Sequence, residues 1–436
     1  MWAKLPIEIP DLPAFAARHL AGGVSSSFRL NPFTGLPLYV KRAEVPYIYD
    51  VHGRRFIDFF MGHGACSLGH NRPEIMQAVR EALECGLFAQ HDSYMTASLA
   101  AKIVEHVPCA ELVRYANSGS EAILLCLRLA RGYTRRDKIV RIDGHFHGGQ
   151  DYVMSNNLAH RIDGENPGNR PSRIGPLTAG VPQAIRDTIY AIPWNNVEVF
   201  AGLAEEKGHE IAAILMNPID YNNGCITTSR EYLAAIRDIC NRHGILLVFD
   251  EILSGFRTGI TCAQGYYGVT PDLCALGKAL TNGFPLAAVV GRESIMRKIM
   301  DPEDPVMAGG TFSGNLPGCA AGLAAIRIME APGFFQAWLD RTESFFSALR
   351  DLLRRTGIPA SVQWLGPGFY IYFGRAERLT DYGQFSGLDR KMMSRFFTKC
   401  IAEGLYFHTD FTVSAQHTSG VLDESLSIME KVARTP

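Results

Sequence analysis

The segment Leu246–Glu251 reads LLVFDE, a run of apolar residues that ends in two carboxylates. Later in the chain, Leu273–Lys278 reads LCALGK, a second apolar run that ends in a glycine and a lysine. Near-continuous apolar runs separated by helical segments are typical of strands that are buried on both faces of a mostly parallel sheet. Such sheets bind ligands at the carboxyl ends of their strands, where these polar residues fall.

The same alternation extends outward from these two runs. Besides Leu246–Phe249 and Leu273–Leu276, strands are predicted at Leu112–Ala116, Ile139–Ile142, Ala212–Met216 and Leu286–Val290. Helices are predicted at 73–85, 96–106, 120–132, 198–207, 229–243 and 317–330. The fold class is therefore α/β, with a mostly parallel central sheet covered by helices.

Both ends of the chain have a different pattern. Residues 38–59 predict two short strands around a turn at His52-Gly53. After residue 331, the pattern predicts helices at 334–355 and 388–403, with strands near Phe369–Phe373 and Val413–Ala415. We predict a small-lobe segment at 1–55, a large domain at 56–325 and a C-terminal small domain at 326–436.

Composition excludes several classes of partner. The 436 residues include 43 Lys and Arg against 44 Asp and Glu, so no electrostatic feature favours nucleic acid or an anionic membrane. No apolar run reaches membrane-spanning length. The 10 cysteines are scattered without a CxxC pair, and Met1–Glu8 lacks the pattern of a signal peptide, so we expect a cytoplasmic protein. A small molecule is the expected partner.

Asn117–Glu121 reads NSGSE and lies between a predicted strand and a predicted helix. Ser118, Gly119 and Ser120 would place hydroxyls and free N–H groups at a helix N-terminus, which favours phosphate binding. Ser118 and Glu121 equally fit a capping box with no ligand.

Asp250 and Lys278 complete a possible cofactor site. An Asp at a buried strand end can keep a cationic ring nitrogen protonated, although a helix cap or a metal carboxylate fits the position equally well. A Lys after an apolar strand can form a Schiff base through its amine, although most lysines are simply solvated. A phosphate cradle, an acid and a lysine in this order are the groups that pyridoxal phosphate requires.

The motifs resemble those of the class III (ω-type) aminotransferases, and in particular the branch similar to glutamate-1-semialdehyde aminomutase. The segments that carry this resemblance are Leu68–Pro73, Asn117–Ala122, Arg128–Arg131, Gly144–Gly148, Phe249–Glu251, Gly255–Arg257, Tyr267–Leu273, Leu276–Lys278 and Gly310–Asn315. The resemblance runs from Gly22 to Thr418 and implies the fold-type I fold of pyridoxal phosphate enzymes.

The resemblance also implies roles for individual residues and a homodimer with shared active sites. Phe146, which replaces the usual Tyr of this branch, would stack on the cofactor beside His147. Asn222 would lie near the ring oxygen, and Thr311 would reach the phosphate of the neighbouring subunit. Arg29 matches an arginine that binds the substrate carboxylate in the aminomutases, although an exposed or structurally paired arginine fits its position equally well.

Departures from the branch concern the substrate. His63 stands where an aromatic Trp is expected, and Asn217–Ile219 reads NPI in place of Glu-Pro-Val. These changes favour a specialised aminotransferase over the tetrapyrrole aminomutase, with an amino-sugar or another secondary metabolite as a candidate substrate.

Three functions remain open on this sequence. The first is transfer of an amino group from an amino-acid donor to a small carbonyl compound. The second is an intramolecular aminomutase or an epimerase, and the third is a protein of this fold that binds a ligand without turnover. A nicotinamide dehydrogenase is disfavoured because no GxGxxG follows a first strand. The pair His145 and His147 has no evident third ligand, so no metal site is predicted.

Overall fold

The computed structural model describes residues 11–155, 171, 178–375 and 377–434. Met1–Glu8, where no signal peptide is expected, lies outside these residues. Among the described residues, no helix has the length and apolar composition needed to cross a membrane.

Strands in the described part of the chain occur along its whole length. In chain order they are β1 Val40–Glu44, β2 Tyr47–Asp50, β3 Arg55–Asp58, β4 Leu112–Ala116, β5 Lys138–Ile142, β6 Ile189–Ile192, β7 Ile211–Met216, β8 Ile219–Asp220, β9 Ile226–Thr227, β10 Leu246–Glu251, β11 Leu273–Leu276, β12 Ala287–Gly291, β13 Ala360–Leu365, β14 Gly368–Phe373, β15 Leu405–Tyr406 and β16 Phe411–Thr412.

Helices alternate with the strands in the middle of the chain and dominate its last third. In chain order they are α1 Leu12–His19, α2 Pro73–Glu84, α3 Tyr94–His106, α4 Gly119–Thr134, α5 Gln183–Arg186, α6 Val197–Lys207, α7 Arg230–His243, α8 Cys262–Tyr267, α9 Glu293–Met296, α10 Leu316–Met329, α11 Phe334–Arg355, α12 Arg390–Ala402 and α13 Ser419–Arg434.

A seven-stranded sheet forms the centre of the molecule, in the order β4-β12-β11-β10-β7-β5-β6. Its neighbours pair in parallel except at β12, which runs antiparallel to both β11 and β4. The predicted mostly parallel sheet is thus confirmed. Because only β12 is reversed, the carboxyl ends of the other strands lie along one edge.

Helices cover both faces of this sheet. On β10, Leu246 and Val248 belong to a core shared with α4, while Leu247 and Phe249 belong to the core on the opposite face. Successive side chains of a strand point to opposite faces, so a strand buried on both sides needs apolar residues at every position. This requirement explains the unbroken run LLVF.

A third core joins the two ends of the chain. Leu405 of β15 pairs in parallel with Ile57 of β3, and the ring of Phe59 lies 5.0 Å from that of Phe407 and 5.9 Å from that of Phe345. The N-terminal strands therefore pack with α11 and the C-terminal strands. The predicted domain boundaries stay a prediction.

The sequence prediction is wrong in two places and misses several strands. Residues 38–59 form three strands, not two, and the short C-terminal strand is Phe411–Thr412 and not Val413–Ala415. Strands β6 and β13 were not predicted. β6 lies at the edge of the large sheet and β13 at the edge of the three-stranded sheet β13-β14-β16. The polar residues Ser361 and Gln363 interrupt the apolar pattern of β13, whereas β6 reads IYAI and is largely buried, so its apolar run was overlooked.

Candidate active site

The carboxyl ends of four parallel strands carry the polar residues of the site. Asp250 of β10 is in register with Ala275 of β11, so Lys278 follows just beyond the end of the neighbouring strand. On the other side of β10, Phe249 is in register with Met216 of β7. Asn217, which directly follows β7, therefore lies at the same edge. The segment Gly144–Gly148 follows β5, which is next in the sheet. Sheet topology thus brings together groups that are distant in the sequence.

Asp250 is buried and held by two donors. His147 lies with its Nδ1 2.8 Å from Asp250 Oδ2, and the backbone N–H of Ile252 donates to Oδ1 over 3.0 Å. Burial lowers the pKa of His147, and the hydrogen bond from its ring to Asp250 only partly opposes this effect. His147 is therefore a neutral donor that orients the carboxylate.

Lys278 follows β11 and has a positive φ of 46°. Burial lowers the pKa of its amine, Asp410 and Asp250 oppose this effect, and Arg257 adds to it. A lysine with a lowered pKa more readily supplies the neutral amine that a Schiff base and proton transfer require. A left-handed backbone at a residue other than glycine is strained, and such strain is concentrated at functional sites.

The N-terminus of α4 meets the segment after β5. Ser120 Oγ accepts a hydrogen bond from the backbone N–H of Gly149 over 3.0 Å. Gly148 has a φ of +97°, and a Cβ atom there would lie 2.4 Å from Ser120 Oγ. Only glycine allows this close approach. Ser118 Oγ is occupied differently, since it accepts from the backbone N–H of Glu121 over 3.3 Å and so caps α4.

A cavity of about 180 Å³ lies among these groups. Its walls include seven of the residues predicted to bind a cofactor: Gly119, Ser120, Phe146, His147, Asn222, Asp250 and Lys278. The helix N-terminus at one end can bind a phosphate. A buried carboxylate, an aromatic ring and an amine line the remainder, so the residues present fit pyridoxal phosphate.

Four of the predicted site residues are not among those that line the cavity: Ser118, Arg29, His63 and Thr311. Arg29 ends an exposed turn at Ser27–Arg29 and is not among the residues that line the cavity. Thr311 is exposed beside Gln90, whose backbone N–H donates to the Thr311 carbonyl over 3.2 Å. The assignment of Thr311 to a neighbouring subunit stays a prediction, and so does the substrate role of Arg29.

The structure adds an acid that the sequence analysis missed. Asp410 is 2% exposed, and its Oδ1 lies 2.6 Å from Nδ1 of His63. Asp410 also acts electrostatically on Lys278. Its position between the aromatic residues Phe407 and Phe411 was the available signal, because a carboxylate within an apolar stretch is unusual without a partner.

Arg257 and Glu251 are buried close to the site. The two terminal nitrogens of Arg257 donate to neutral oxygens, at Gly64 O over 2.8 Å and Thr412 Oγ1 over 2.9 Å. Burial raises the pKa of Glu251 to about 7. Its carboxyl group accepts a hydrogen bond from the backbone N–H of Ala263 in α8 over 2.7 Å.

Comparison with known proteins decides the family. The sequence model of the class-III aminotransferase family matches residues 31–412 of this chain. The chain belongs to the class-III aminotransferase family.

Individual members of this family resemble the whole chain. The chain is 35% identical over 418 residues to a glutamate-1-semialdehyde 2,1-aminomutase from Caldivirga maquilingensis, with 94% of each sequence covered. The crystal structure of an omega-transaminase from Sphaerobacter thermophilus superimposes with a TM-score of 0.91 at 28% identity, covering 99% of this chain and 98% of that one.

A β-phenylalanine aminotransferase from Variovorax paradoxus has a TM-score of 0.85 at 27% identity, covering 96% of this chain and 92% of that one. Together with the family match, these structures confirm the predicted class-III fold. The predicted cofactor, pyridoxal phosphate, is confirmed at the level of the family.

Proposed function

We propose that this class-III protein is an aminotransferase that moves an amino group from an amino-acid donor to a carbonyl-bearing small molecule. The observation that carries the proposal is the presence of Lys278 and Asp250 in the wall of one cavity. The N-terminus of α4 completes that cavity with Gly119 and Ser120. A lysine amine, a fixed carboxylate and an anion site are the groups this reaction needs.

Each residue of the cavity has a chemical task in this proposal. Pyridoxal phosphate supplies an electron-accepting ring that makes a C–H bond next to the substrate nitrogen easier to break. Lys278 Nζ accepts the proton from that carbon. It later donates a proton to the carbon of the second substrate that receives the amino group. Asp250, oriented by His147, places a negative charge at the end of the cavity. Phe146 and Asn222 line the same cavity, where Phe146 would stack on the cofactor ring and Asn222 would lie near its oxygen.

The proton-transfer role of Lys278 depends on its electrostatic surroundings. Burial and the nearby charge of Arg257 both lower the pKa of the amine, which increases the neutral fraction at neutral pH. Asp410 and Asp250 limit that effect. A lowered pKa suits a group that must first accept and then donate a proton.

An intramolecular aminomutase is the second candidate. The 35% identity to a glutamate-1-semialdehyde 2,1-aminomutase supports it, since Lys278 and Asp250 would serve both reactions. An epimerase on the same residues is a further variant. We favour intermolecular transfer because His63 and Asn217 depart from the aminomutase-like pattern, and an amino-sugar or other secondary metabolite remains our candidate acceptor.

We further propose a homodimer with shared active sites and a cytoplasmic location. Thr311 is the residue predicted to reach the neighbouring subunit, and the adjoining Phe312 is 64% exposed. An exposed aromatic side chain at this position supports the dimer because a subunit interface would bury it. The ten cysteines are all free, which is typical of a reducing compartment.

A half-reaction experiment tests the proposed function. Protein loaded with pyridoxal phosphate is mixed with L-glutamate or L-glutamine, and the cofactor absorbance is followed. We expect conversion to the pyridoxamine form. Lys278→Ala is expected to slow this conversion by about a thousandfold or more, because the amine that moves the proton is gone.

Lys391→Ala is the control, since Lys391 is an exposed lysine of α12. It should convert at the rate of the unchanged protein. Isomerisation of glutamate 1-semialdehyde without any conversion by amino donors would establish the aminomutase instead. A protein that takes up no pyridoxal phosphate would contradict both candidates.

A further inference from the structure

The turn that carries Asn222 belongs to a short hairpin outside the large sheet. Strands β8 and β9 have two residues each and form a two-stranded sheet of their own. A hairpin of this size is at best marginally stable by itself. The position of its turn therefore depends on contacts with other segments of the chain.

The side chain of Asn222 does not make these contacts itself. It lines the cofactor cavity, and no other described residue exchanges a hydrogen bond with its amide group. Its place at the cavity wall is therefore set by the residues next to it in the turn.

The amide of Asn223 joins this turn to the segment that follows β5. Its Nδ2 donates to the carbonyl oxygen of Gly144 over 2.8 Å and to Oδ2 of Asp220 over 2.9 Å. Gly144 begins the segment whose residues Phe146 and His147 line the same cavity as Asn222. One amide group thus connects two loops that both contribute to the wall of the cofactor cavity.

The two acceptors determine which end of the Asn223 amide faces them. A carbonyl oxygen only accepts hydrogen bonds, and Oδ2 of Asp220 keeps a lone pair whether the carboxyl group is charged or carries a proton on Oδ1. The NH2 group of Asn223 must therefore point toward both oxygens. Asp220 is fully buried and Asn223 is 9% exposed, so water cannot easily replace either hydrogen bond.

Two tyrosines from the C-terminal part of the chain hold the same turn. The hydroxyl group of Tyr382 donates to Oδ2 of Asp220. The hydroxyl group of Tyr372 donates to the carbonyl oxygens of Asn223 over 3.0 Å and Gly224 over 2.7 Å. Gly224 has a φ of +91°, and a Cβ atom there would lie 2.0 Å from this hydroxyl, so only glycine fits. The turn is thus attached to the C-terminal segment and, through Asn223, to the segment after β5.

We propose that Asn223 is a positioning residue for the cofactor, because its amide ties the β8–β9 turn to Gly144 and so holds Asn222 at the cavity wall. Asn222 is the residue that contacts the cofactor, and Asn223 acts through it. The inference goes beyond the proposed function, since it concerns how pyridoxal phosphate is held and applies equally to amino transfer and to an intramolecular aminomutase.

Loss of this tie is expected to affect cofactor binding more than folding. Without the bond to Gly144, Asn222 would have to be ordered when the cofactor binds, and this cost lowers the affinity. The hydrogen bonds from Tyr372 to the turn would remain, so we expect the protein to fold.

Asn223→Leu replaces the amide with an apolar side chain of similar size. We expect this variant to bind pyridoxal phosphate about tenfold more weakly, as loss of one buried hydrogen bond predicts. The visible circular dichroism of the bound cofactor, which reports how its ring is held, should decrease as well. Titration by cofactor absorbance, followed by dichroism at saturating cofactor, measures the two quantities.

A double variant separates positioning from general damage. If Asn223 acts through Asn222, adding Asn223→Leu to Asn222→Ala protein should lower the cofactor affinity by less than about twofold, because the side chain that Asn223 positions is already gone. A further tenfold loss in the double variant overturns the inference. Unchanged affinity in Asn222→Ala protein overturns it too.

Gln363→Leu is the matched control. Gln363 is a buried amide of β13 whose Nε2 donates to the carbonyl oxygen of Leu379 over 3.1 Å, and it is not among the residues that line the cofactor cavity. Its replacement should lower the midpoint of chemical denaturation but leave the cofactor affinity and the dichroism unchanged.

Asn223→Ala is a second variant in case the leucine prevents folding, and it carries the same expectations. Unchanged cofactor affinity in either folded Asn223 variant overturns the inference. Weakened cofactor binding in a protein that no amino donor converts to the pyridoxamine form would contradict the proposed function and leave this inference standing.

Discussion

Backbone geometry at single residues decides whether the anion end of the cavity can form. Gly148 has a φ of +97° and lies so close to Ser120 that a Cβ atom would be 2.4 Å from its Oγ and 3.0 Å from its Cα. The neighbouring Gly149 has no heavy atom within 4 Å of an added Cβ. An added methyl group would therefore collide with Ser120 at position 148 and would meet no heavy atom within 4 Å at position 149.

Gly148→Ala is expected to weaken pyridoxal phosphate binding by about tenfold or more, because Ser120 and the start of α4 must move away from the anion. Gly149→Ala should bind the cofactor with unchanged affinity. Titration of both proteins by cofactor absorbance checks the difference. Equal affinities would show that the close packing of Gly148 on Ser120 is unimportant for binding.

At the level of elements, the start of α4 combines a helix cap with an anion site. Ser118 Oγ accepts from the N–H of Glu121, whereas Gly119 and Ser120 line the cavity. Ser229 caps α7 in the same way, through the N–H of Tyr232 over 3.1 Å. The structure thus assigns Ser118 a contact with its own helix and assigns the next two residues to the cavity.

Ser118→Ala and Ser229→Ala are each expected to lower the free energy of unfolding by about 1 kcal/mol, the usual value of an N-cap. Ser120→Ala should weaken cofactor affinity more than either cap variant does. Chemical denaturation of the cofactor-free proteins and cofactor titration give the two quantities. A Ser118→Ala protein with unchanged stability but much weaker cofactor binding would show that Ser118 binds the phosphate, as the sequence predicted.

At the scale of the whole molecule, the N-terminal strand β3 packs with the C-terminal strands, and a buried polar pair lies beside this junction. His70 Nε2 lies 2.8 Å from Asp58 Oδ2, and Asp58 belongs to β3, which pairs with the C-terminal strand β15. Burial tends to lower the pKa of His70, but its hydrogen bonds to Asp58 and Cys66 raise it to about 10.

This pair predicts a loss of stability in alkali. A histidine whose folded pKa is raised stabilises the protein fully below its ordinary pKa near 6.5, and that contribution falls as pH rises toward 10. We expect a loss of roughly 2–4 kcal/mol over this range. His70→Gln should flatten the curve of unfolding free energy against pH, while His52→Gln, at an exposed position, should follow the unchanged protein.

The parts of the site that the sequence predicted are those that depend on local order. Asp250, Lys278 and the start of α4 lie at the carboxyl ends of three apolar strands, β10, β11 and β4. Parallel strands with connecting helices bring these ends to one edge. Phe146, His147 and Asn222 were assigned through resemblance to a family, and they also line the cavity. Strands buried on both faces leave a clear apolar pattern, although the largely buried strand β6 was not predicted.

The sequence by itself determined the class of the fold, the family and the residues at the carboxyl ends of the central strands, because these follow from apolar periodicity and short motifs. Only the tertiary structure decided that Asp410 contacts His63 and that Arg257 bridges their two segments. It also placed Arg29 on an exposed turn and engaged Ser118 in a helix cap. The contacts of Asp410 and Arg257 join segments 155 or more residues apart. Their geometry depends on how the chain ends pack together, which no local pattern encodes.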